Sequence, residues 1–274
     1  MADRSLPLTV FTTFYDNLRY FDQTVESVLS QSFRDFEFLM INDGDPKESE
    51  RIRRQFPDPR IRIIDQPRDT VPRKRNRGLH EGFGEMIAII DSDDCCEPGR
   101  FEKQLAFLRA NPDHVVVGSA LRCINEKSET VGLRSYPVTH EEIERTIVRT
   151  NCIAQPAVMA RRQALIDAGG YTEQFPWADD YDLWLRVARI GKMHNLPEAL
   201  LAYRLHPQAT KNVRLKEALR DSVLLKIHAI RRYGYRATPA VIANIAMHAA
   251  LLPLPKRLVL WLFRRLMVSG QTQS

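Results

Sequence analysis

The 274-residue sequence predicts an α/β fold with a mostly parallel central sheet flanked by helices and followed by a C-terminal helical extension. Three observations carry this. Short apolar runs alternate with helix-period segments up to residue 90, at about thirty residues per repeat, the spacing of parallel strands joined by crossover helices. The composition, 44% hydrophobic and 27% charged, is that of a globular chain able to bury a full core. Beyond residue 210 the pattern gives way to longer helical stretches, first basic and then apolar.

Residues 8–12 form a short apolar strand, and 21–29 a helix with apolar residues at 21, 25, 28 and 29. A second strand, 36–41, runs into the turn Asn42-Asp43-Gly44-Asp45-Pro46. A charged helix over 46–56 stops at Pro57. Strand 60–64 precedes a strongly basic helix over 71–83, with Arg73, Lys74, Arg75 and Arg77. The apolar run 86–90 then leads directly into Asp91-Ser92-Asp93-Asp94. A helix over 98–110, with Glu97-Pro98 opening it, and a strand over 115–118 follow. The region 119–150 is polar except for a helix at 140–149. Residues 151–160 read as an edge or bent strand because of Pro156. A short helix, 161–168, closes at Gly169-Gly170. Trp177-Ala178-Asp179-Asp180-Tyr181 leads into a helix reaching residue 190, and an apolar run from 200 ends at His206-Pro207.

Residues 212–232 form a basic helix, and 237–255 carry no formally charged side chain. Pro253 and Pro255 interrupt this run before the apolar stretch 258–263 and Arg264-Arg265. A hairpin lying on an anionic membrane surface, packing on the protein or a second subunit, and a single spanning helix all remain open. Asn244 and His248, on one helical face, and the two prolines count against spanning. The formal charge of +6 points to an anionic partner: nucleic acid, a nucleotide-bearing substrate or an acidic membrane face. The cysteines, Cys95, Cys96, Cys123 and Cys152, match neither a zinc knuckle nor a disulfide framework, which suits a reducing compartment. No secretion signal is expected from the opening residues.

Asp91, Asp93 and Asp94 sit at the carboxyl end of a strand, where ligands bind in α/β proteins. Such a cluster suits a hard cation such as Mg²⁺ or Mn²⁺ that also holds substrate phosphates, or it is a polar turn before the next helix. Asp43 and Asp179-Asp180 are further acids at strand ends or in loops. Together they supply a residue to read a base or ribose, two to hold a metal–diphosphate and one to deprotonate a hydroxyl. Helix polarity alone would also favour an acid at Asp180. The rings of Trp177, Tyr181 and Trp184 line a carbohydrate-sized pocket or belong to the core. No Gly-x-x-x-x-Gly-Lys loop and no Gly-x-Gly-x-x-Gly follows the first strand, against kinase, NTPase and dehydrogenase readings.

Six segments, in order, resemble the inverting family 2 glycosyltransferases of the GT-A (nucleotide-diphospho-sugar transferase-like) fold. Thr13-Phe14-Tyr15-Asp16 resembles that family's Pro-Thr-Tyr-Asn turn, with the helix 20–32 after it. Asn42-Asp43-Gly44 stands where the family has Asp-Asp-Gly, and Arg75-Asn76-Arg77-Gly78 resembles its Ala-Arg-Asn-x-Gly helix. Asp91-Ser92-Asp93-Asp94 resembles the Asp-x-Asp signature, and Ala178-Asp179-Asp180-Tyr181-Asp182-Leu183-Trp184-Leu185-Arg186 the Ala-Glu-Asp-Tyr-Asp-Leu-Trp-Leu-Arg element. Tyr203-Arg204-Leu205-His206 resembles Tyr-Arg-x-His. Thr13, Phe14, Asn42 and Asp179 depart from the family residues.

The resemblance implies metal-dependent, inverting transfer of a sugar from a nucleotide diphosphate donor to an acceptor hydroxyl, in cell-surface polysaccharide or glycolipid assembly. It makes Asp180 the base. Thr13, Tyr15, Asp43, Arg75, Asp91 and Ser92 bind the donor; Asp91, Asp93 and His206 hold Mg²⁺ or Mn²⁺. Asp94, Trp177, Asp179, Tyr181 and Trp184 are accessory or acceptor-side residues. The catalytic domain spans 1–210, with a donor half 1–98 and an acceptor half 99–210, and 211–274 form the extension. The expected partners are the nucleotide sugar, a carbohydrate or lipid-linked acceptor and an anionic membrane surface, with oligomerisation through the C-terminal helices as another outcome and no nucleic acid. The expected location is cytoplasmic, peripheral on the cytoplasmic face of a membrane. A nucleotidyltransferase or a non-catalytic nucleotide- or membrane-binding protein are the alternatives.

Overall fold

A computed structural model describes residues 6–15, 18–207, 213–255 and 258–259. Asp16, Lys256, Arg257 and the sequence from 260 on, including Arg264 and Arg265, lie outside the described residues. Four parallel strands form one half of the sheet: β1 (Leu6–Phe14), β2 (Phe36–Asn42), β3 (Ile61–Asp65) and β4 (Gly84–Ile89), in spatial order 3-2-1-4. Both sheet faces are covered, so these strands read as continuous apolar runs. Alternate residues serve opposite faces: Phe11, Leu39, Ile41, Ile87 and Ile89 face one core, and Val10, Phe38, Met40, Met86 and Ala88 the other.

The helices divide between these faces. α1 (Phe21–Leu29), α2 (Pro46–Gln55) and α4 (Arg100–Ala110) cover the second core. α3 (Val71–Glu81), α5 (His140–Ile147), α6 (Arg162–Asp167) and α7 (Asp179–Val187) cover the first. The helix expected at Pro98 begins instead at Arg100. Gly99, at φ 74°, forms its N-cap, a left-handed conformation glycine adopts without strain.

Beyond β4 the sheet becomes mixed. β5 (Cys95–Cys96), β6 (His114–Ile124), β7 (Thr130–Arg134), β8 (Met159–Arg161) and β9 (Lys192–Arg204) bring the sheet to nine strands among the described residues, in the order 3-2-1-4-8-6-9-5 with β7 beside β6. β8 runs antiparallel to both β4 and β6, and β9 runs parallel to β6. The strand expected over 151–160 is a 3₁₀ turn, Gln155–Ala157, followed by the short β8. Pro156 lacks the N–H that a ladder at that point would need.

α8 (Leu215–Arg232) and α9 (Pro239–Leu251) form the C-terminal pair. Leu225, Ala229, Tyr235 and Val241 join the core shared with α7. No helix among the described residues is long and apolar enough to cross a membrane. No disulfide joins the four cysteines among the described residues.

Candidate active site

The carboxyl ends of β1 and β4 and the start of α7 open onto a cleft of about 460 Å³. Its wall includes Thr13, Arg75, Asp91, Ser92, Asp93, Trp177, Asp179 and Asp180 from the sequence expectations. The turn after β4 is held from behind by Arg204, itself only 1% exposed. Its Nε donates to the Asp93 carbonyl at 2.9 Å, and its other nitrogens reach Gln23, Asn125 and Ser128. Asp94 faces away from the cleft. It is buried, its Oδ1 accepts from the Arg204 N–H at 2.8 Å, and its carbonyl accepts from Thr24 Oγ1 at 2.7 Å. Asp94 therefore secures the turn and does not reach substrate space.

Asp91 and Asp93 point in different directions. Asp93 Oδ2 lies 2.7 Å from His206 Nε2, and the His206 ring packs near Tyr20. Asp91 Oδ1 lies 4.0 Å from Arg75 Nη2, while Arg75 Nη1 donates to both Asp179 oxygens at 2.7 and 2.9 Å. Among the described residues no three acidic, histidine or cysteine side chains converge on one metal position. Asp91, Asp93 and His206 are thus not assembled as a three-ligand set. The donor chemistry still fits a hard cation: Asp93 and His206 place an oxygen and a nitrogen together. Magnesium-type sites commonly take one or two protein ligands and complete the shell with water and substrate phosphate.

The α3 motif has a local physical basis. Arg75 faces the cleft. Asn76 clips a distant loop, its Nδ2 donating to the Tyr171 carbonyl at 2.8 Å and its Oδ1 accepting from the Tyr171 N–H at 2.7 Å. That clip sets the Tyr171 ring under the Arg75 guanidinium, 5.4 Å away. A Cβ at Gly78 would lie 2.2 Å from the Phe11 ring, so α3 packs on β1 at a distance only glycine permits.

Asp180 is half-buried in the first turn of α7, where the helix dipole favours an acid. Its Oδ1 accepts from the Tyr181 N–H at 2.7 Å and its Oδ2 from Asn151 Nδ2 at 3.1 Å. Burial is the main force pushing the Asp180 carboxyl up to about 6; Asp179 adds to it, and Arg75 with the two hydrogen bonds works against it. Asp91 is likewise pushed up to about 6, chiefly by desolvation, with Arg75 opposing and Asp93, Asp180 and Asp179 reinforcing. A carboxylate in this range is suited to taking a proton near neutral pH.

Of the remaining expected residues, Asp43 is buried beneath Lys74, whose Nζ donates to it at 2.7 Å. Tyr15 is exposed, with the Arg68 guanidinium 3.2 Å from its ring centroid. Neither lines the cleft. Tyr181 and Trp184 do not form an acceptor pocket: both are core residues, Trp184 fully buried and Tyr181 donating its hydroxyl to the Ile147 carbonyl. Trp177 is the ring of the three that does face the cleft. The sequence did not single out Asn151, Arg134, Tyr136 or Arg214, which also line the wall. They come from loops and element ends with no periodic signal.

Residues 9–169, more than half the chain, match the family described as glycosyl transferase family 2. The chain belongs to that family. This family 2 glycosyltransferase is 33% identical over 199 residues to the O-antigen biosynthesis glycosyltransferase WbnJ of Escherichia coli, covering 70% of this chain and 77% of that one. Its fold is similar to S. aureus TarS 1–349 in complex with UDP-GlcNAc (TM-score 0.65, 16% identity, 82% of this chain and 69% of that one). It is also similar to the mannosyltransferase PcManGT from Pyrobaculum calidifontis in complex with GDP-Man and Mn²⁺ (TM-score 0.66, 15% identity, 96% and 81%). The GT-A-like architecture follows from both the sheet and these likenesses. The activity is sugar transfer from a nucleotide-sugar donor, which removes the nucleotidyltransferase and non-catalytic alternatives.

Proposed function

We propose that this enzyme transfers a sugar, with inversion at the anomeric carbon, from a nucleoside diphosphate donor to a hydroxyl of a carbohydrate or lipid-linked acceptor. The setting is assembly of a cell-surface polysaccharide or glycolipid, a class that the name of the E. coli relative supports. The observation that carries the reading is Asp180, a carboxyl raised to about 6 in the cleft that also holds Asp91, Ser92 and Asp93. Asp180 takes the proton of the attacking hydroxyl as the bond to the sugar forms. Tyr181 N–H and Asn151 hold its oxygens in place meanwhile. A single base suffices because direct displacement needs no covalent sugar intermediate.

Donor binding within the cleft falls to Thr13, Arg75, Asp91 and Ser92 in the half spanning 1–98, with Tyr15 and Asp43, outside the cleft wall, assigned to the nucleobase by the family resemblance, and acceptor binding to 99–210. Arg75, held between Asp179 and Asp91, supplies positive charge beside the departing diphosphate. Asp93 and His206 would hold Mg²⁺ or Mn²⁺, which when bound neutralises diphosphate charge. The neighbouring folds carry UDP-GlcNAc in one case and GDP-Man in the other, so the fold is compatible with either nucleotide. The reading puts the enzyme in the cytoplasm, working at a membrane face where the acceptor is lipid-linked.

Calorimetric titration of UDP- and GDP-sugars, with and without Mg²⁺ or Mn²⁺, tests the donor side. One sugar nucleotide should bind with a requirement for the cation, and Asp93→Ala should abolish that requirement's effect. Failure of every sugar nucleotide to bind in the presence of either cation would remove the proposal.

A further inference from the structure

The last helix of the described chain has its polarity reversed. α9 turns its polar side chains inward: Asn244 Oδ1 accepts from Lys226 Nζ at 2.7 Å, and His248 Nδ1 lies 2.8 Å from the same nitrogen. Lys226 is 1% exposed and Asn244 and His248 are half-buried, so this cluster lies between α8 and α9. The opposite face of α9 carries Ile242, Ala243, Ala246, Met247 and Ala250, at spacings that share one side of a helix. All five are exposed, Ile242 at 55% and Met247 at 48%. A helix facing only water would present the reverse pattern.

The charge of this segment of the sequence has one sign. From Ser222 to the C-terminus the sequence holds eight lysines and arginines and neither aspartate nor glutamate. Arg231, Arg232 and Arg236, at the entry to α9, are exposed. The face is also tied to the cleft. Lys216 Nζ caps the end of α9 by donating to the carbonyls of Leu251, Leu252 and Leu254, while Arg214 and Ala218 on either side of it line the cleft.

We propose that the outward face of α9 docks on an anionic lipid bilayer, with its apolar residues at the acyl boundary and the arginines before it at the headgroups. This deepens the lipid-linked acceptor reading, on which its functional meaning rests, by placing the acceptor side of the cleft beside the bilayer. Charge complementarity favours lipid over a second copy of the chain, because two copies would bring like-charged segments together.

The test is vesicle flotation of the full chain with phosphatidylcholine alone and with about a third phosphatidylglycerol, enough to give a negative surface. The chain should float with the anionic vesicles and lose that association as salt rises. The double variant Ile242→Glu, Met247→Glu should weaken vesicle affinity by at least about tenfold, with an unchanged melting profile because both positions are exposed. If the double variant melts early, Ala246→Glu on the same face provides the same comparison. Three results would overturn the proposal: no flotation of the parent chain, equal flotation of parent and variant, or a parent dimer that the variant converts to a monomer. Sugar-nucleotide binding on the same preparations reads the donor site separately, so failure of docking and failure of the transferase mechanism are distinguishable.

Discussion

Asn42 occupies a position where a second carboxylate would meet a first. Its Nδ2 donates to Asp65 Oδ1 at 2.8 Å, to Ser49 Oγ and to the Asp45 carbonyl, and its Oδ1 accepts from Gly44 N–H. The departure from the family's Asp at this point is therefore matched by its surroundings: the amide both donates to Asp65 and accepts from Gly44, whereas a carboxylate only accepts. Asn42→Asp should lower unfolding stability by about 1–3 kcal/mol, read from the shift in denaturant midpoint. A variant as stable as the parent would show the network contributes little. Asp180 and Asp91 make a pH prediction. Both carboxyls are held up near 6 by burial, and the base acts only when deprotonated. Turnover should be full above that value and fall as pH drops through about 6. Arg75→Gln removes the charge that opposes both shifts, so the acidic limb should move to higher pH in the rate profile. That these acids would gather at one cleft was legible from their place at strand and helix ends. That Tyr181 and Trp184 belong to the core was not, because an aromatic residue at helical spacing reads the same whether it faces core or ligand.

At the scale of elements, the parallel half of the sheet was readable because its strands are buried on both faces and bounded by turns. β7 was missed because Thr130–Arg134 is largely exposed and has no burial alternation to detect. β9 was foreseen only over its last residues. Its register shifts against β6 between Ser119 and Ala120, passing from Leu196 to Ala199, which leaves Pro197 and Glu198 out of the ladder. A proline read along the sequence argues against a strand, whereas a bulge accommodates it. The α3 motif yields an element-scale prediction. Gly78→Ala forces α3 off Phe11 and should cost about 1–3 kcal/mol by overpacking. Thermal unfolding measures this, and a neutral result would mean that the helix relaxes without loss.

Across the whole molecule, the cleft draws on residues from both sheet halves and from α8, and most of that assembly was not visible in the sequence. Asn151 reaches Asp180 from a loop 29 positions earlier in the chain, and Arg214 lies over the Trp177 ring from the other side. Such meetings arise from tertiary packing and leave no local pattern. The C-terminal pair is joined to the body through Tyr233, whose hydroxyl donates to Asp182 at 2.8 Å, and through Tyr235, whose hydroxyl donates to the Leu185 carbonyl at 2.9 Å. Within the pair, Lys226→Ala would leave the half-buried Asn244 and His248 acceptors without their donor. It should cost about 1–3 kcal/mol and speed proteolytic cutting near Gly234, followed by mass spectrometry of the fragments; unchanged cutting would show that α9 is held by other contacts.

The central claim is that Asp180 performs the proton chemistry while other residues bind the donor. Steady-state transfer by Asp180→Asn, with donor affinity measured on the same protein, tests it most directly. The substitution preserves shape and removes the base, so kcat should fall by about 10²–10⁴-fold with donor affinity nearly unchanged. A variant that keeps parental turnover, or that loses donor binding in proportion to activity, would contradict the assignment.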